Sequence, residues 1–240
     1  FRSKFVAALG YQLVVADFSQ IELRVAAELS GEQRMLDAYL AGRDLHTETA
    51  ALMTGVALDQ VTKAARTSAK VANFGLLYGA GPATLRKQAM SQYGIDIELN
   101  EAKEIVENFR AAYPTLYQWQ VTEGNKTTKA VTTALGRRRQ LVGFNDKYTK
   151  RINTQVQGTA GDIAKLAIRR LWQEICQAPA GEAKLIAMVH DEIVLEVRET
   201  AVDHWAQTLK ACMEAAGAEV CRSVPIVAEV SAGLTWADAK

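Results

Sequence analysis

Residues 184 to 198, KLIAMVHDEIVLEVR, decide the fold. Ile186, Ala187, Met188 and Val189 lead into His190-Asp191, and beyond it Ile193, Leu195 and Val197 alternate with Glu192, Glu196 and Arg198. A period of two marks a half-buried strand, and two apolar arms with so short a break between them form a tight antiparallel hairpin. Its turn carries an acid, Asp191, between those arms.

Working outward, VADFSQIELR at residues 15 to 24 repeats the combination. Leu13, Val14, Val15 and Ala16 end an apolar run on Asp17, and helical spacing begins at once with Ile21, Val25 and Leu29. A strand over about 11 to 18 thus ends on a second acid, and a cationic group is expected beside it. If strand and hairpin are neighbours in one sheet, Asp17 and Asp191 meet. Two adjacent carboxylates repel, so they share protons or a divalent cation neutralises them. Oxygen ligands without a histidine-cysteine cluster favour Mg²⁺, with Mn²⁺ as a substitute. Singly, each acid has a plainer reading: aspartate is common at turns, and Ser19 with Glu22 forms the S-x-x-E pattern of a capping box.

Between these strands the pattern is helical, at roughly 32 to 40, 45 to 54 and 58 to 78, the last stopped by Gly79-Ala80-Gly81-Pro82. Pro82 and Pro114 each open a further helix as its first residue. VTTALGRRRQL, residues 131 to 141, reads as a short hairpin, and 147 to 177 as a long helix interrupted near Gly158 and Gly161. A helix over 201 to 216 and a strand over 226 to 230 follow. The fold class is α+β, a small antiparallel sheet with a large helical insertion.

Of the 240 residues 49% are hydrophobic and 23% charged, an ordinary globular balance. Neither a long uncharged apolar run nor a secretory leader appears, so the chain reads as soluble and cytoplasmic, with no membrane partner. Three cysteines without CxxC spacing argue against a disulfide framework or a zinc site and read as buried thiols. The net charge of +1 gives no global case for a polyanion. Its distribution does: Gln60 to Ile95 holds Lys63, Arg66, Lys70, Arg86 and Lys87 with no acid, and Gly124 to Gly161 is basic apart from Asp146.

The 58 to 78 segment is the most informative. Arg66, Lys70, Phe74 and Tyr78 recur every four residues and form one stripe. Two cations followed by two aromatics suit a nucleoside triphosphate, the cations for phosphates and the rings for sugar and base. The plainer alternative is that the rings pack inward while the cations reach past them to solvent. Gly75 costs about 1 kcal/mol relative to alanine inside a helix, which calls for another use, such as close approach of a base pair.

Three stretches, DFSQIELR at 17 to 24, RTSAKVANFGLLYG at 66 to 79 and VHDEIVLEV at 189 to 197, resemble motifs A, B and C of the family A DNA polymerases, in the family's order. The resemblance extends through GRDLH at 42 to 46, NTQVQGTAGD at 153 to 162 and VPIVAEVSAG at 224 to 233. It implies a palm at 1–43 and 131–240, fingers at 44–130, and an N-terminal part of the palm and a thumb outside this chain, on the same or another polypeptide. It implies DNA-templated DNA synthesis from dNTPs on a primer-template, in a bacterial or phage setting. Carried over by position, Asp17, Asp191 and the Phe18 carbonyl hold two Mg²⁺ ions with Glu192 close by. Arg66, Lys70 and His46 grip the triphosphate, and Lys70 serves as proton donor to pyrophosphate. Phe74 packs on the sugar, Tyr78 lies near the new base pair, and Glu22 excludes a 2′-hydroxyl. Gln20 serves the nucleotide and the primer-template, where His190, Asn153, Gln157 and Arg151 also bind.

Three features depart from the family pattern: Phe18 where tyrosine is usual, Thr149 where arginine is expected, and a short segment from Arg139 to Lys150. An RNA polymerase or reverse transcriptase with the same palm, or a non-catalytic DNA-binding remnant, remains an alternative.

Overall fold

The structure is a computed structural model that describes residues 1–143 and 147–240. Asp146, the lone acid of the second basic tract, lies outside the described residues. The chain divides into two compact units, Phe1–Ile21 with Thr159–Lys240, and Glu22–Gly158.

The first unit is built on a four-stranded antiparallel sheet of β1 (Tyr11–Phe18), β4 (Ala183–Val189), β5 (Glu192–Arg198) and β6 (Ala228–Gly233), ordered β4-β5-β1-β6. Central β1 is buried from Leu13 through Ala16, which explains its unbroken apolar run. Leu13 and Val15 cluster with Val194, Trp236 and Ala239, while Val14 and Ala16 point to the opposite face. Each buried Val or Leu contributes roughly 1.5–3 kcal/mol, and an aspartate at Val14 would leave a bare charge inside the sheet. Helix α9 (Val202–Val220) packs on β1, β5 and β6 and outruns the expected 201 to 216. Its approach depends on Gly217, where an added Cβ would lie 2.3 Å from Ile226. The last strand starts at Ala228 rather than 226.

The second unit holds α1 (Ile21–Ser30, from Glu22 on), α2 (Gln33–Leu40), α3 (Leu45–Thr54), α4 (Lys63–Leu76), α5 (Pro82–Tyr93), α6 (Leu99–Ala112) and α7 (Pro114–Gly124). A ribbon of β2 (Ala130–Thr132) and β3 (Arg138–Gln140) follows. The expected single helix over 58 to 78 is a short 3-10 turn at Leu58–Gln60 and then α4, because Thr62 caps a fresh start by accepting the Ala65 N–H. Sequence reading leaves α6 out; its acidic surface hides a buried row of Ala102, Val106, Phe109 and Ala112. Glu32 caps α2 through the Arg34 N–H and also accepts the Thr115 and Leu116 N–H groups at 2.8 and 3.2 Å, tying α7 to it.

Helix α8 (Lys147–Gln177) contributes its start to this unit and the rest to the other, and it runs without the expected interruption. Gly158 is there for proximity instead: an added Cβ would lie 2.6 Å from Thr133 Cγ2, and the Gly158 carbonyl accepts from Arg137 at 2.8 Å. Of the cysteines, Cys212 and Cys221 are buried as expected, Cys176 is exposed against expectation, and none of the three is in a disulfide. Among the described residues no helix is long and apolar enough to cross a membrane.

Candidate active site

In the sheet unit, antiparallel register sets Asp17 opposite Glu192. The Phe18 N–H donates to the Asp191 carbonyl at 3.2 Å, so the two aspartates end at one sheet edge although they are remote in sequence. Asp17 faces two ways. Its Oδ1 is buried without a hydrogen-bond partner, while Oδ2 takes the Lys240 ammonium at 3.4 Å. Lys240 is the cation that the strand-end acid called for. Glu192, 2% exposed, accepts from Lys240 and from Trp236 Nε1–H, and pairs with Arg2 at 3.1 Å. Burial alone would raise its carboxyl, but those donors and charges hold it below the usual range. Burial likewise works against the Lys240 charge, and Glu192 and Asp17 more than restore it.

Among the described residues, Gln20 (φ 53°) and His190 (φ 58°) are the non-glycine residues with positive φ. That conformation costs on the order of 1 kcal/mol for a side chain with a Cβ and gathers at functional sites. One follows Asp17 by three positions and the other immediately precedes Asp191. No group of three or more His, Cys, Asp or Glu side chains fit to hold a metal occurs among the described residues. The candidate donors are fewer and all oxygen. That set, with an unpartnered buried Oδ1, fits a hard cation that keeps water and phosphate oxygens in its shell.

The helical unit carries the opposite charge. On α4, Ala69, Val71, Ala72, Asn73, Gly75 and Leu76 are buried, Arg66 and Lys70 are exposed and Phe74 is half-buried. The stripe therefore lies off the core face, and Tyr78 continues it in the turn beyond the helix. Gln120 fixes that end by donating to the Leu76 and Leu77 carbonyls at 2.9 and 2.8 Å. Gly75 serves helix packing: an added Cβ would meet Leu85 Cδ1 of α5 at 2.6 Å, so the expected base-pair role gives way to a neighbouring helix.

The Arg66 guanidinium forks onto Asp44 at 2.8 and 3.1 Å. Burial would raise the Asp44 carboxyl, but Arg66 and Thr47 bring it down to about 2. His46 is 4% exposed, its Nδ1 2.8 Å from Asn73 Nδ2. Asn73 continues to Thr49 at 3.0 Å and Thr49 to the Tyr113 hydroxyl at 2.7 Å. Burial pulls His46 from 6.5 to about 4 despite Asp44, with Arg66 and Lys70 adding to the drop. At neutral pH it offers a hydrogen bond and no charge. Its ring lies 5.6 Å from that of Phe74. The Tyr78 hydroxyl donates to Glu22 and accepts from Gln157 Nε2 at 3.2 Å. Burial and the Glu22 charge keep that hydroxyl protonated.

Gln157 is exposed and Asn153 half-buried, both on α8. Arg151, expected among the DNA contacts, is 2% exposed and spends its guanidinium on Thr128 and the Ala130 carbonyl, so its work is internal. Arg139 likewise donates to Thr154 at 3.1 Å. Several cations of the second basic tract thus brace the β2–β3 ribbon, which charge counting does not distinguish from a binding face. Of the segment from Arg139 to Lys150, residues 144–146 lie outside the described residues.

The family model for DNA polymerase family A matches residues 1–238. The chain belongs to DNA polymerase family A. This family A chain is 36% identical to DNA polymerase I of Aquifex aeolicus over 98% of its own length and 41% of the relative's. It is 37% identical to DNA polymerase I of Pseudomonas aeruginosa over 99% of itself and 26% of that protein. Among solved structures it matches the POL domain of Pol1 from M. smegmatis, in complex with a DNA primer-template and dNTP. The TM-score is 0.87 at 30% identity, over 99% of this chain and 42% of that one. The chain therefore spans well under half the length of these relatives.

Some residues that contact the candidate site residues escape motif reading. Lys240 sits in an unremarkable ADAK, and Asn73 and Asp44 lie inside stretches where attention falls on their neighbours. Only the tertiary contacts give them partners.

Proposed function

We propose that this chain is the catalytic part of a DNA-templated DNA polymerase, which joins dNTPs to a primer 3′-hydroxyl in the 5′-to-3′ direction. The observation that carries the reading is the sheet edge: β1 and β5 bring the Asp17 and Asp191 backbones side by side through the 3.2 Å Phe18–Asp191 bond, with one Asp17 oxygen buried and unpartnered. Membership of the family supports it, as does the primer-template and dNTP bound to the M. smegmatis neighbour. In this reading palm roles fall to 1–43 and 131–240 and finger roles to 44–130.

Asp17 and Asp191, with the Phe18 carbonyl, would hold Mg²⁺, or Mn²⁺ in its place. Two such ions, when bound, would supply a more acidic primer hydroxyl and a clamp on the triphosphate charge. The chain's own groups do the rest. Arg66 turns its fork from Asp44 to phosphate oxygens, an exchange of one bidentate anion for another. His46, neutral, contributes a hydrogen bond from the buried Asn73 chain, and Lys70 gives a proton to the departing pyrophosphate. Phe74 bears on the sugar, and Glu22, held by Tyr78, occupies the space a 2′-hydroxyl would need. Gln20, His190, Asn153 and Gln157 contact the primer-template. Glu192 keeps the edge in register rather than reacting, because three donors already saturate it.

The test is primer extension with Mg²⁺ and dNTPs, by this chain alone and with an N-terminal polymerase portion added. Extension that Asp17→Asn abolishes is expected in at least the second case. Extension that survives Asp17→Asn and Asp191→Asn together removes the reading.

A further inference from the structure

We propose that Lys240 is a displaceable counter-ion that competes with divalent metal for the aspartate edge. The inference rests on the reading that Asp17 and Asp191 hold the metal.

The Lys240 ammonium touches Glu192 and stands 3.4 Å from Asp17 Oδ2, a position between two carboxylates that a cation of higher charge would seek. Its two partners are unequally provided. Glu192 also has Arg2 at 3.1 Å and the Trp236 N–H, so it stays satisfied if Lys240 leaves. For Asp17 the cation recorded among the described residues is Lys240. Asp17 and Glu192 each meet the Lys240 ammonium, so removing it leaves more uncompensated negative charge to draw a divalent ion.

The lysine can yield. Its side chain is 44% exposed, and a compact ammonium on a four-carbon stem swings away without disturbing the backbone. Lys240 thereby balances the edge when no metal is bound and lowers its affinity for free metal, leaving the full charge to be used once the ammonium moves. Arg2 does not replace it, because its recorded ion-pair partner is Glu192 and not Asp17.

Mn²⁺ binding to this chain, followed by the loss of the free-ion paramagnetic resonance signal, tests the proposal on unmodified protein, Lys240→Met, Lys240→Arg and Asp17→Asn. Loss of one partly screened charge at this range predicts about tenfold tighter binding by Lys240→Met. Lys240→Arg, which keeps the charge, stays near the unmodified value, and Asp17→Asn binds more weakly. Equal or weaker binding by Lys240→Met, with Asp17→Asn still weakened, overturns the Lys240 proposal alone. Undiminished binding by Asp17→Asn instead overturns the metal reading of the edge, and this inference with it. A second measurement needs no variant: Mg²⁺ titrated into the unmodified chain shifts the Lys240 ε-methylene resonance, and an unmoved resonance refutes the displacement.

Discussion

The sheet edge and the α4 stripe solve one problem in opposite ways. Each gathers like charges that the proposed function gives to a ligand, and in each one charged group meets a counter-ion from its own unit: Lys240 for Asp17, and Asp44 for Arg66. At the edge the working groups are fixed and the counter-ion is loose, since Asp17 and Asp191 sit at the ends of a ladder whose register admits no slip without turning every buried residue of β1 outward. On α4 the working side chain is long and exposed, while its partner Asp44 is anchored as the cap of α3 through Thr47. Precision belongs to the carboxylates and reach to the cations.

The largest expected effect breaks the rigid half. Asp191→Asn keeps shape and removes charge, and primer extension should fall by on the order of 10³-fold, as when a preorganised electrostatic group is lost. A fall under tenfold would mean that the edge is not where the reaction is driven.

The next effect belongs to the helical half and is read in stability. The folded His46 pKa is depressed from 6.5 to about 4, so between those values the unfolded chain takes up a proton that the folded chain refuses. Stability is then full above pH 6.5 and declines as pH falls toward 4, by up to about 3 kcal/mol. His46→Gln should flatten the melting temperature across that window, and an unchanged slope would show that other groups carry it.

Packing comes third. Gly75→Ala pushes a Cβ against Leu85 at 2.6 Å, and denaturant unfolding should show a loss of about 2 kcal/mol. A neutral result would restore a role for Gly75 away from the α4–α5 contact. The smallest effect sharpens the counter-ion comparison. Asp44→Ala removes the α3 cap for about 1 kcal/mol of stability and releases Arg66. Nucleotide binding, measured by fluorescence, should tighten rather than weaken, which separates a counter-ion from a binding residue.

Much of this was legible in the letters. The hairpin at 184 to 198, its turn acid, β1 and most helix starts follow from periodicity, prolines and caps. The letters bring Asp17 and Asp191 together only if strand and hairpin are neighbours, and the β1–β5 pairing makes them so. Helix α6 stayed hidden because its buried row is flanked by acids, and the unbroken course of α8 because a glycine costs a helix only about 1 kcal/mol, too little to break one of this length. Arg151 misled because a charge in a basic tract looks the same whether it faces a phosphate or a threonine carbonyl.

The sequence by itself determined most of the elements, where the acids and the cation-aromatic stripe lie along them, and the family, since all of these depend on spacing within a few residues. Only the tertiary structure decided what each charge meets. That Lys240 reaches Asp17, that His46 is buried and neutral, and that Glu192 is saturated are consequences of contacts between residues remote along the chain. Electrostatic energy depends on distance in space and on exclusion of water, and neither is written in the local order of residues.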